Sequence, residues 1–192
     1  YAKAMRYFVI FTLLAFLCVV AYIDILKYLV GADYREGLKV VPIVMAAEIM
    51  MGVYFNLSFW YKLTDRTIWG AVLSTIGCAV LIGVNVAFVP THSYVACAWA
   101  GCAGYGTAMV LSYFLGQHYY PIAYPLKAIG GYVVAAAALY AAMTMVEMPN
   151  AWLNIAYRTA LLVVFVGIIY RVEHLSSAMA KLPVVGKYFK KA

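Results

Sequence analysis

Two side chains able to hold a full charge stand inside long apolar stretches of this chain, Glu48 and Arg158. Burying a charge in hydrocarbon is costly and is tolerated beside a partner, at an interface or against a wet cavity. Counting inward at about 1.5 Å per residue, both lie roughly 10 Å below the same end of their stretches, so one depth is open to them. A fixed ion pair between helices, an arginine snorkelling to the outer interface, and direct binding of a charged substrate or coupling ion are the readings this leaves. Glu48, Gly52 and Asn56 recur at helical spacing on one face. That face suits either helix packing, with Asn56 bonded to a neighbour, or the wall of a polar cavity. Lys62 and Arg66 close the same stretch, where they set topology or meet substrate phosphates at the mouth of a cavity.

Other chemistry is missing from the sequence. His92, His118 and His174 fall in three separate breaks, and no zinc-protease, nucleophile-elbow or phosphate-loop motif is present. Cys18, Cys78, Cys97 and Cys102 lie in apolar stretches without a C-x-x-C pair, the pattern of small buried hydrophobes rather than of a metal site or disulfide. The sequence predicts no enzyme, no metal and no cofactor.

The elements that must position these residues are membrane helices. Hydrophobic residues make up 67% of the chain and charged residues 11%, with mean hydropathy +0.91. A soluble core cannot absorb that much apolar surface. A bilayer-spanning helix needs about 20 mostly apolar residues, because its backbone must be satisfied within the segment. Six stretches qualify: about 7–22, 40–61, 68–89, 94–115, 128–146 and 152–170. The expected fold is an all-α polytopic transmembrane bundle over residues 1–171. The breaks hold residues that stop helices or need water: Gly31 to Asp33, Lys62 to Arg66, Pro90, Pro121 to Lys127 and Pro149. The long first break, 24–39, is expected to contain a short helical turn capped by Gly31.

Orientation follows from Lys and Arg. With both ends cytoplasmic, Lys3, Arg6, Lys62, Arg66, Lys127, Arg171, Lys181, Lys187, Lys190 and Lys191 lie inside, and Lys27, Arg35 and Lys39 outside. The net charge of +7 then needs no nucleic acid. Residues 172–192 alternate apolar side chains with Lys181, Lys187, Lys190 and Lys191, an amphipathic cytoplasmic tail that orients the chain or contacts anionic membrane lipids. Small residues recur every four positions as Ala96, Ala100, Gly104 and Ala108 on the fourth stretch and as Gly70, Ser74 and Cys78 on the third. Such stripes let backbones approach closely. Trp60, Tyr61, Trp69, Tyr94, Tyr119, Tyr120, Tyr124, Trp152 and Tyr170 gather at stretch ends as an aromatic belt, and Asn85 reads as interfacial.

Three strings, YREGLKVVPI at 34–43, YFNLSFWYKLTDRT at 54–67 and SYFLGQHYYPI at 112–122, resemble the C-terminal half of bacterial polysaccharide flippases. These belong to the superfamily of multidrug, oligosaccharidyl-lipid and polysaccharide exporters, and the likeness is to lipopolysaccharide-biosynthesis members of the Bacteroidetes type. It covers about the first two thirds of the chain; after about Gly130 it rests on hydropathy and span count.

The resemblance implies a multi-pass protein of the bacterial inner membrane that moves a polyprenyl-diphosphate-linked oligosaccharide between leaflets by alternating access. It implies further that these six spans are the last of fourteen, with an N-terminal lobe as partner, an expectation that fits a chain opening on Tyr1. Arg158 is then the buried cation available to a diphosphate. A multidrug-type cation antiporter of the same superfamily would use an acidic cavity, for which Glu48 is the one buried carboxylate. A membrane polymerase or acyltransferase would be expected to carry a large outer loop rich in Arg, His or Asp, or an inward His motif, and this sequence has neither.

Overall fold

The computed structural model describes residues 2–146 and 150–180, without the side chains of 32, 33, 151 and 173–180. Every regular element among the described residues is helical: α1 (Ala2–Ala21), α2 (Ile23–Leu26), a 3-10 segment (Ala32–Val40), α3 (Val41–Leu57), α4 (Phe59–Leu63), α5 (Ile68–Tyr119), α6 (Leu126–Met145) and α7 (Ala151–Ala180). Five continuous helical stretches are long and apolar enough to cross a membrane.

The longest of these stretches, α5, is two spans rather than one. Its 52 residues would make a straight rod of about 78 Å, against a hydrocarbon core of about 30 Å. Ser93 breaks it, with φ 51° and ψ −138°, just after Pro90. In a straight helix Gly77 and Gly104 would lie about 40 Å apart. Instead a Cβ built on Gly77 would sit 3.0 Å from the Gly104 carbonyl oxygen and 3.1 Å from the Ala108 Cβ. The two arms, 68–92 and 94–119, therefore fold back on each other as an antiparallel hairpin, in agreement with the expected third and fourth spans.

The chain divides into two compact units. The first comprises residues 1–8 and 32–122. In it α3 runs antiparallel to the first arm, with Tyr54 bonded to Ser74 at 3.0 Å and Tyr61 against Gly70. It runs parallel to the second arm, where Cys102 Sγ donates to the Ile43 carbonyl and Gly101 meets Ala47. Ala96, Ala100, Gly104 and Ala108 are all buried, so the stripe expected on the second arm is its packing face. The stripe expected on the first arm is met in part: Gly70 lies against Tyr61 and Ser74 bonds Tyr54, while Cys78 is exposed and the buried positions are Leu73 and Gly77. Toward the second arm the close approach is made by Gly77 rather than Cys78, against the Gly104 backbone. Cys78 and Cys97 are likewise exposed rather than buried, and the four cysteines are unpaired thiols.

The second unit comprises 9–31 and 123–192. Val9, Leu13, Leu17 and Val20 are buried along one stripe of α1, at the spacing of an amphipathic helix. Phe16 stacks at a tilt on Tyr140 of α6, 5.6 Å between centroids. The short turn expected after the first span is α2, but Gly31 does not cap it, since no glycine among the described residues has positive φ. Helix α7 continues past the expected end of the last span to Ala180, and Lys181, Lys187, Lys190 and Lys191 lie outside the described residues.

Candidate functional site

Helix α2 begins two residues after α1 ends, with Tyr22 between them accepting no side-chain cap. That tight junction holds Asp24 beside α7. Arg158 Nη1 donates to Asp24 Oδ2 at 2.8 Å, and Lys27 Nζ lies 3.5 Å from Asp24 Oδ1. The Arg158 side chain is 11% exposed and Asp24 44%. One residue further on, Thr159 Oγ1 donates to the Ile155 carbonyl at 2.7 Å. Its single proton is thereby used, so Tyr22 is the donor in the 3.2 Å bond between Tyr22 Oη and Thr159 Oγ1. Two adjacent residues of α7 are thus tied to the 22–24 junction.

A guanidinium taken this far out of water is stabilised only if its partners replace the hydration it lost. Asp24 does so at one nitrogen, through a charge-assisted bond. Arg158 Nε is buried without a hydrogen-bond partner, and so is Asn154 Oδ1, one helical turn earlier on the same helix. The site is a cation with an occupied edge and an unused donor, next to an unused acceptor. It can exchange its carboxylate for another anion, and Nε can donate to one further acceptor.

The carboxylate partner of Arg158 is therefore Asp24, which the sequence placed in a loop, and not Glu48. Glu48 belongs to the other unit, where it is exposed on α3 beside buried Ala47, and it forms no ion pair among the described residues. Asn56 reaches no neighbouring helix: its Nδ2 donates to the Gly52 carbonyl of its own helix at 3.1 Å. Gly52 itself serves packing, since a Cβ there would overlap the Phe8 ring. The face through Glu48, Gly52 and Asn56 thus holds three different environments. Asn85 is half-buried, and its Oδ1 is buried without a partner.

Lys62 and Arg66 sit at the end of the first unit where α4 turns into α5. Asp65 has φ 53°, and the Arg66 N–H donates to the Tyr61 carbonyl at 2.9 Å, a six-residue closure of the kind that ends helices. Arg66 is carried by that turn onto the ring of Tyr119, with its guanidinium carbon 4.8 Å from the centroid. Tyr119 stacks on Trp60 at 5.6 Å and 12°. Trp60, 2% exposed, donates from Nε1 to Ser112 Oγ at 3.4 Å and lies against Gly116, where a Cβ would come within 2.8 Å of its ring. This ring column was legible only as an aromatic belt, because its members come from 60–69 and 112–119.

Several long apolar helices with a covered ion pair and ring clusters at helix ends indicate a multi-pass membrane protein of the all-helical class. No known protein family matches this chain, and no curated protein or solved structure does either.

Proposed function

We propose that this chain belongs to a membrane carrier for a lipid-linked, diphosphate-bearing oligosaccharide, working in surface-polysaccharide or lipopolysaccharide biosynthesis at a bacterial inner membrane. The flippase-like strings at 34–43, 54–67 and 112–122 support that class. The observation that carries the mechanism is the covered Arg158 held by Asp24. In this reading Asp24 keeps the guanidinium neutralised while the site is empty. A phosphate oxygen then takes over the Nη1 bond, Lys27 follows the released charge, and Nε donates to a further oxygen of the head group. Exchange of one anion for another avoids leaving a bare cation among apolar helices at any stage. The ends of the chain are assigned to the cytoplasm by the distribution of Lys and Arg.

In cells lacking their own polysaccharide flippase, the native protein should restore surface polysaccharide, and Arg158→Ala should lose this more severely than Lys62→Ala. Full activity of Arg158→Ala would remove that residue from the mechanism. Export of organic cations with dependence on Glu48 would instead select the antiporter, and glycan ligation or acyl transfer would select an enzyme.

A further inference from the structure

The geometry points to a binding site for a lipid-borne phosphate at the α4–α5 turn of the first unit, built by Arg66 and Lys62 on the Trp60–Tyr119 ring column. Arg66 is exposed, yet its guanidinium carbon lies over the Tyr119 ring, 4.8 Å from the centroid, and its backbone is fixed by the bond to Tyr61. A cation–π contact leaves the N–H groups of a guanidinium available as donors, and that fork can grip phosphate in a bidentate manner. Neither Arg66 nor Lys62 is in an ion pair among the described residues. Lys62 is exposed, with its ammonium over the Phe59 ring at 5.6 Å.

The second support is the column itself. A surface arginine normally loses much rotamer freedom on binding. Here the orientation is set beforehand by Tyr119, by Trp60 beneath it and by Trp69, whose ring lies 5.8 Å from Tyr119. Trp and Tyr also mark the headgroup level of a membrane helix. Two unpaired cations at that level, one of them pre-aimed, face phosphodiesters and not acyl chains. The site does not depend on the transport reading, and its ligand is defined by chemistry: a phosphate carried on a membrane lipid.

The chain has four tryptophans, Trp60, Trp69, Trp99 and Trp152. In the full-length protein carrying Trp99→Phe and Trp152→Phe, the reporters at the turn are Trp60 and Trp69. Reconstituted into phosphatidylcholine with lipids brominated near the headgroup, it should show quenching that favours phosphatidylglycerol over phosphatidylcholine. Near a membrane surface one basic residue is worth about a fivefold change in binding. Arg66→Ala should reduce the preference by about that factor, and raised salt should reduce it in the parent protein but little in the variant. Millimolar pyrophosphate that displaces the lipid identifies the phosphate group as sufficient, and pyrophosphate that fails to do so identifies the lipid as the required carrier; either supports the site. Equal quenching by both lipids overturns it, as does an undiminished preference in Arg66→Ala. Should Arg66→Ala also shift the unquenched tryptophan emission, Lys62→Ala decides, with loss of preference supporting the site and full retention overturning it.

Discussion

Replacing Asp24 by Asn should destabilise the protein more than replacing Arg158 by Met, although the two side chains share one bond. At about 4 Å between charge centres and an effective dielectric of about 20, the attraction is about 4 kcal/mol, an upper bound. Asp24 is 44% exposed and Arg158 11%, so the pair falls between exposed and buried. Exposed pairs contribute about 0–1 kcal/mol, and breaking buried ones costs about 3–5 kcal/mol. Discounted for the wet carboxylate, Asp24→Asn is expected to cost about 2 kcal/mol, because it strands a covered guanidinium whose Nε already has no partner. Arg158→Met should cost about half that, since the released carboxylate can rehydrate and the methionine fills the space of the stem. The double variant should recover about 1–2 kcal/mol relative to the sum of the singles. Reversible unfolding in mixed micelles, followed by circular dichroism, gives all four corners. Additive costs, or a penalty larger for Arg158→Met than for Asp24→Asn, would refute the pairing. Glu48→Gln, at an exposed residue outside any ion pair, should stay within about 0.5 kcal/mol.

Gly104→Ala should destabilise by about 1–3 kcal/mol, because its Cβ would meet the Gly77 carbonyl at 2.8 Å and backbone cannot rotate away. Gly130→Ala, with open space around it, should be neutral or mildly stabilising in the same unfolding assay. Cysteines at 77 and 108, in a background without the native four, should crosslink on mild oxidation and shift in gel mobility; an unbroken 52-residue helix would keep them apart. Labelling of single cysteines by an impermeant maleimide in intact cells should mark position 39 from outside and leave position 62 unmarked until lysis. The reverse pattern would invert the assigned orientation.

Much of the helical layout is legible in the residues because hydrophobic runs and Pro or Gly breaks act locally. The stretches 68–89 and 94–115 anticipate the two arms of α5, and Ala96, Ala100, Gly104 and Ala108 anticipate its packing face. What escapes is register and partnership. Gly70 and Ser74 of the expected stripe do meet Tyr61 and Tyr54, yet Gly77 rather than Cys78 makes the close approach to the second arm, since helical periodicity leaves neighbouring rows nearly equivalent. Depth alone suggested Glu48 for Arg158. The true partner, Asp24, is 134 residues away in sequence and looks like an ordinary loop carboxylate until α2 folds it against α7. The Trp60–Tyr119 column escaped for the same reason, its members coming from 60–69 and 112–119, far apart in sequence.

The reversal at Ser93 bears on how the protein enters its membrane. From Thr67 to Leu126 the chain contains no Asp, Glu, Lys or Arg, so the two arms and the bend between them present only His92 and His118 as titratable bases. No fixed charge has to be pulled through the bilayer when the bend crosses. The arms can partition into lipid together as a single hairpin, and its direction is then dictated by the cations that bracket it, Lys62 and Arg66 before and Lys127 after. Moving a lysine into the bend would place a topological signal where the chain now has none, setting the insertion machinery two opposed instructions within one hairpin.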